Sequence, residues 1–183
     1  FLTAFQFLTT MRDLSPQGDG GPLRSKDGKV VAHLMGFLNR TCTLLSHGIK
    51  PVYVFDGRAP ELKADEIDSR RKRRVEAEDI HKEALAAGDF KLAQKMAQRI
   101  MHYSPEMVEE TKRLLDLLGV PWVAAKAEGE AQAAVMAANG QLDVVATQDW
   151  DAVLYGTPFL VRNLMNHGSK RYGKVVTAEK IML

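Results

Sequence analysis

Short apolar runs that end in acid constrain this chain more than any other feature. Pro51-Val52-Tyr53-Val54-Phe55 runs into Asp56-Gly57, and Val144 to Thr147 leads to Asp149 and Asp151. Val120 to Ala124 leads into a turn carrying Glu128 and Glu130. Runs of this length, rich in β-branched and aromatic residues, read as buried strands. A small-residue stretch, Ala131 to Ala138, reads as a helix, and Asn139-Gly140 breaks it. Alternating strands and helices predict an α/β fold with a central, mostly parallel sheet and helices on both faces. In such open sheets the ligand crevice lies at the carboxyl ends of the strands. The acids fall there.

Asp56, Glu128, Glu130, Asp149 and Asp151 at one sheet end would repel one another unless cations neutralised them. The donors are all oxygen, with no neighbouring Cys or His at metal spacing, which favours Mg²⁺ or Mn²⁺ over zinc. Helix positions two apart point about 200° from each other, so Glu128 and Glu130 converge only from an extended or half-capped turn before the helix. Asp149 and Asp151, two apart at a strand end, share a face. A single Asp at a strand end is about as often a turn or helix cap. The joint pattern carries the argument.

Composition excludes some classes. The chain has 183 residues, about one domain. It has no long apolar run for a transmembrane helix, and its opening FLTAFQFLTTMR lacks the basic lead and cleavage site of a signal peptide. An intracellular protein fits. Cys42, the single cysteine, sits in an apolar helical stretch and reads as a packed core thiol. The net charge of +2 says little about nucleic acid, for which distribution matters more. The chain starts without Met inside a helix-like pattern, and Glu179 to Leu183 reads as the entry to another helix, so both ends look cut.

Residues 1–12 read as an apolar helix with Phe1, Phe5, Leu8 and Arg12 on one face, 13–29 as a loop, and 30–47 as a helix stopped by Gly48. Residues 61–104 are charged, with an apolar stripe too thin to lie flat on a core. Gly88-Asp89 divides them into two helices, the first carrying Arg70-Arg71-Lys72-Arg73-Arg74. Taken alone, that run is an ordinary solvated face with acids on either side. Residues 106–118 read as an amphipathic helix ended by Gly119, and 159–162 and 174–177 as strands flanking a polar turn at 166–173.

VFDG, the AEGEAQAA segment and ATQDWD together resemble the flap endonucleases, the structure-specific 5′ nucleases of the XPG type, and look most like archaeal members. The resemblance covers nearly the whole chain. It implies a PIN-like 5′ nuclease core with a helical arch over 61–104, inserted between an N-terminal nuclease region (1–74) and an internal one (105–183). It further implies a metal-dependent 5′ flap endonuclease and 5′–3′ exonuclease of DNA replication and repair, cutting branched DNA at the single-strand/duplex junction. Asp56, Glu128, Glu130, Asp149 and Asp151 match the carboxylates that hold two Mg²⁺ ions, for which Mn²⁺ can substitute. Glu130 is the candidate to reach both ions. Lys63 and Arg70 match two catalytic basic residues at the base of the arch. Phe5, Arg12, Arg73 and Arg74 match DNA contacts, Phe5 by stacking on a base. A further metal aspartate before residue 1 and another after residue 183 are implied. So are a helix-hairpin-helix and a sliding-clamp-binding peptide beyond the last residue. The partner is a 5′-flapped DNA, with no membrane, in the cytoplasm of an archaeon or the nucleus of a eukaryote.

Two other readings compete. A PIN-like ribonuclease would also gather acids at a sheet end, but has little room for so long an inserted segment. A DNA-binding module without catalysis gains nothing from a negative crevice.

Overall fold

Gly36 decides how the first two helices meet. Helix α1 (Leu2–Thr10) lays Phe7 against it from the side, and a Cβ at Gly36 would lie 2.2 Å from Phe7 Cγ. With no side chain there, Phe7 reaches Phe37 of helix α2 (Ala32–Ser46) edge-on, at 5.2 Å between ring centroids. The buried face of α2 is therefore Ala32, His33, Gly36, Phe37, Thr41 and Leu44. Leu45 is exposed, and so is Cys42. The expectation of a packed Cys42 thiol is corrected: the stripe runs through Thr41, and the next residue is turned about 100° away.

The computed structural model describes residues 2–164, 170–171, 174–175 and 177–182. Two compact units make up the chain, Thr3–Pro51 with Pro60–Val120, and Val52–Ala59 with Pro121–Leu183. In the first, a short 3₁₀ turn (Glu61–Lys63) enters helix α3 (Ala64–Ala86), and α4 (Phe90–Ile100) returns along it. The break falls where Gly88-Asp89 predicts it. Gly88 takes φ +72°, and Asp89 caps α4 by accepting from Leu92 N–H at 2.9 Å. The hairpin packs through small residues, Ala77, Ala84, Ala93 and Ala97, with Met96. Residues 61–73 are all exposed. Helix α5 (Pro105–Leu117) opens on Ser104, whose hydroxyl accepts from Met107 N–H, and on Pro105 at its first position. Such a cap contributes about 1 kcal/mol.

The second unit carries the acids. Strand β1 (Tyr53–Phe55) pairs in parallel with β2 (Trp122–Ala124), in the register Tyr53–Trp122 to Phe55–Ala124. Helix α6 (Gly129–Ala138) follows, then β3 (Val145–Ala146), the short helix α7 (Asp151–Leu154) and β4 (Phe159–Arg162). Strand β3 runs parallel to β4, and β4 runs antiparallel to β7 (Glu179–Met182). Strands β5 (Lys170–Arg171) and β6 (Lys174–Val175) pair antiparallel. The core here is Ala133, Ala137, Val145, Ala152 and Leu160, with Val54, Leu142, Val153 and Ile181 packed on it. Alanines on α6 let the helix lie close to the strands.

The α/β reading holds, with some revisions. Among the described residues the strands form separate ladders rather than one continuous sheet. The chain end is a strand, not a helix entry: residues 179–182 pair along β4, and Lys180 Nζ sits 4.4 Å from the Phe159 ring centroid. Asp149 and Asp151 do not share a strand face, because β3 stops at Ala146 and Asp151 already begins α7. Phe1, Val176 and most of the expected 166–173 turn lie outside the described residues.

Candidate active site

Three acidic residues of the second unit, Asp56, Glu128 and Glu130, are placed by backbone geometry around the start of α6. Strand β1 ends at Phe55, and the chain turns sharply at Gly57, whose N–H donates to Ala127 O at 2.7 Å. A Cβ at Gly57 would lie 2.1 Å from Ala125 O. That close approach draws Asp56 to α6, where its Oδ1 accepts from Gly129 N–H at 2.8 Å. The first amides of a helix have no partner within the helix, and its N-terminus carries partial positive charge, so a carboxylate is well received there.

Glu128 is the residue just before α6, with φ −84° and ψ 135°. This is the extended conformation that lets two acids two apart both serve one site. Its side chain does not cap the helix. Instead it accepts a hydrogen bond from the Tyr155 hydroxyl. Glu130 lies in the first turn, half-buried. Burial pushes its carboxyl above the usual range, and the nearby charges of Asp56 and Asp149 push it further the same way. Those three carboxylates therefore share one electrostatic neighbourhood. Asp149 is held in a turn of its own: Thr147 Oγ1 accepts from its N–H, and its Oδ1 accepts from Asp151 N–H, each at 3.1 Å.

Among the described residues no three acidic, histidine or cysteine side chains are gathered at a spacing that could hold a metal ion. The donor chemistry still fits a hard divalent cation. Every candidate ligand is a carboxylate, and Glu130 shows the like-charge repulsion that a cation would offset.

The basic candidates belong to the first unit. Lys63 closes the 3₁₀ turn and stands at the N-terminal boundary of α3. Arg70, in α3, pairs with Glu66 one turn earlier, both well exposed. Arg73 is exposed and Arg74 partly buried on the same helix. Phe5 is half-buried on α1. Arg12 is engaged internally, donating Nε to Gly20 O at 2.8 Å and Nη2 to Gln94 O at 2.5 Å.

Residue-by-residue reading misses Gly129 and Tyr155. Gly129 acts through its N–H, which every residue but proline has, so only the tight EGE turn hints at it. Tyr155 lies 27 residues from the glutamate it binds. Trp150, between the last two acids, is half exposed and carries the Arg162 guanidinium 4.6 Å over its ring, a cation–π contact the sequence does not announce.

The family model for the XPG N-terminal domain matches residues 4–77, and that for the XPG I-region matches 119–183. Flap endonuclease 1 of Aeropyrum pernix is 47% identical over 167 residues, which is 91% of this chain and 47% of that protein. The solved flap endonuclease-1 from Methanococcus jannaschii superposes with a TM-score of 0.67 at 41% identity, over 99% of this chain and 54% of that one. The catalytic core of Rad2 in complex with DNA substrate gives a TM-score of 0.60 at 29% identity, over 88% and 41%. The chain thus spans about half the length of the curated relatives it matches.

Proposed function

The chain belongs to the XPG family of nucleases, flap endonucleases among them, and on that premise we propose that this protein is a structure-specific 5′ flap endonuclease acting on branched DNA in replication and repair. The observation that carries the reading is the seating of the Asp56 carboxylate on the Gly129 amide at the start of α6, whose first turn carries Glu130, with Glu128 in the extended residue just before it. A negatively charged site on a protein that handles phosphodiesters is useful only if cations bridge the two.

Asp56, Glu128, Glu130, Asp149 and Asp151 are the residues that would hold two Mg²⁺ ions, or Mn²⁺ in their place. Ions so held supply an activated water and stabilise the leaving oxygen of a phosphodiester. The protein's own part is to orient the carboxylates. Gly129 N–H fixes Asp56, Tyr155 fixes Glu128, and the Asp149 turn fixes the approach to Asp151. No Ser, Cys or His nucleophile is required. Lys63 and Arg70 would hold the scissile phosphate and offset its developing charge. Arg73 and Arg74 would contact phosphates further along, and Phe5 would stack on a base. Arg12 has two of its five N–H donors committed to carbonyls, and a phosphate contact would use the others. The helices over 61–104 form the arch that receives the 5′ single strand. A sliding clamp is a partner for the full-length protein.

Cleavage of a 5′ flap, a blunt duplex and a single-stranded RNA, each with Mg²⁺ or EDTA, tests this. The reading expects Mg²⁺-dependent cutting of the flap at its junction. Preference for the RNA would instead favour a PIN-like ribonuclease, and binding without cutting a non-catalytic module.

A further inference from the structure

The loop between α1 and α2 is irregular but closed on itself. Asp13 N–H donates to Gly21 O at 2.9 Å, Gly20 N–H to Asp13 O at 3.1 Å, and Leu23 N–H to Met11 O at 2.8 Å. Its crest is bound to the α3–α4 hairpin. Gln94 of α4 donates Nε2 to Ser15 O at 2.8 Å and to Gly18 O at 3.2 Å. Arg12 bridges the two segments, with one nitrogen on Gly20 O in the loop and another on Gln94 O in the helix. From α3, His81 Nε2 lies 2.9 Å from Asp19 O. Gly20 is buried with φ +73°, and a Cβ there would lie 2.5 Å from Gln94 Cα. Only glycine lets the loop backbone approach the helix so closely.

Beside this contact the packing is open. A cavity of about 360 Å³ lies there, lined by Leu8, Val30, Ala97, Ile100, Met101 and Met107, among others. On this side the polar ties add to the packing of Ala93, Met96 and Ala97. Arg12 suits the role better than lysine would, because its planar fork reaches two carbonyls in fixed directions. Both of its bonds are partly buried.

We propose that Arg12 and Gln94 form a latch between the 13–20 loop and α4, and that both are positioning residues for the nuclease. The latch fixes the α3–α4 hairpin, and so the basic run Arg70 to Arg74, in the arrangement that receives the flap strand. Neither residue needs to touch the scissile phosphate for this; each acts through the hairpin. The functional half of the proposal rests on the flap endonuclease reading, whereas the latch itself does not.

The test uses the full-length protein with Gln94→Ala, Gln94→Glu and Gly20→Ala. The first removes two donors, the second keeps the shape but cannot donate, and the third pushes the loop off the helix without removing any donor. Amide hydrogen exchange of the free protein is expected to quicken about tenfold in 13–22 and 90–100 in all three, with α5 and β4 unchanged. Single-turnover cleavage of a 5′ flap at saturating enzyme is expected to fall about threefold to tenfold, while the Kd for the same DNA in Ca²⁺ changes less than twofold. Unchanged exchange, or exchange raised equally along the whole chain, overturns the latch. Local quickening with wild-type cleavage once bound overturns the positioning role. A wild-type protein that leaves the flap uncut overturns the nuclease reading and the positioning role together, and leaves the exchange result to decide the latch alone.

Discussion

Asp56 and Gly129, 73 residues apart, are joined by a hydrogen bond from the Gly129 amide to the Asp56 carboxylate. The bond ties the end of β1 to the first turn of α6, so one acid is positioned directly against the segment that carries two more. It also separates the two duties of Asp56. Holding Gly129 needs only an acceptor oxygen, while holding a divalent cation needs the negative charge.

Asp56→Asn should therefore fold and fail to cut. The amide retains an oxygen for Gly129 N–H and loses the charge. We expect the melting temperature to stay within about 3 °C of wild type, a change below roughly 1 kcal/mol. Cleavage of a 5′ flap should drop on the order of 100-fold or more. Asp56→Ala, which strands the Gly129 amide as well, should lose stability in addition. Thermal melts beside single-turnover cleavage separate the cases; an active Asp56→Asn enzyme would remove Asp56 from the site.

Glu130 gives a prediction about metal and pH together. Burial, then the charges of Asp56 and Asp149, raise its pKa above the unfolded value of about 4.3. A carboxyl whose folded pKa is raised is stabilising to the fold below the unfolded pKa, and that contribution is lost as pH rises through the folded value. At neutral pH without metal the ionised Glu130 is thus a cost. Glu130→Gln should melt a few degrees higher than wild type in EDTA at pH 7.5, with the gap closing near pH 4. Mg²⁺ should raise the wild-type melting temperature more than that of the variant. An equal Mg²⁺ response would show that Glu130 is not a ligand.

His33 predicts loss of stability in mild acid. It is fully buried, with Nε2 2.9 Å from Glu110 Oε2, the Tyr103 ring 6.2 Å away centroid to centroid, and Nδ1 buried without a partner. Burial lowers its pKa, against the opposing pull of Glu110. A histidine with a depressed folded pKa contributes stability above its unfolded value, about 6.5, and that contribution is lost as pH falls through the folded value. Urea unfolding at pH 7.5, 6 and 5 should show wild type weakening across this window and His33→Phe weakening less. Parallel pH profiles would assign the acid sensitivity to other groups.

What the sequence made legible follows from how local each signal is. Asp56 could be placed because VFDG couples an apolar strand to its turn, and Glu128 because two acids two apart demand an extended residue before α6. The hairpin break at Gly88-Asp89 was legible for the same reason: turn and cap are written in adjacent residues. Cys42 is exposed against expectation because the inward face of α2 is set by Phe7 seating on Gly36, a contact between different helices. The chain end was misread because four residues carry no reliable period, and it is pairing with β4 that makes 179–182 a strand. The Arg12–Gln94 contact spans 82 residues through a backbone carbonyl, for which no residue type is a signal.

The basic run of α3 offers a test of how labour is divided along one helix. Lys63 stands at its N-terminal boundary, seven residues after Asp56, and Arg70 lies two turns further on; Arg73 and Arg74 follow. All of residues 61–73 are exposed, so changing one of them should cost little stability. The Arg70–Glu66 pair is a surface ion pair and is worth about 0–1 kcal/mol. Function should discriminate where stability does not. A group that acts on charge developing only in the transition state changes the rate once bound, while uniform contacts change affinity. Lys63→Ala and Arg70→Ala should thus slow single-turnover cleavage of a 5′ flap on the order of 100-fold, with modest effects on binding in Ca²⁺. Arg73→Ala should cleave near the wild-type rate once bound, bind more weakly, and reduce the salt slope of binding by about one. If Lys63→Ala cleaves at the wild-type rate, or Arg73→Ala is the slower enzyme, the run is a surface that tracks the DNA backbone and neither Lys63 nor Arg70 is catalytic.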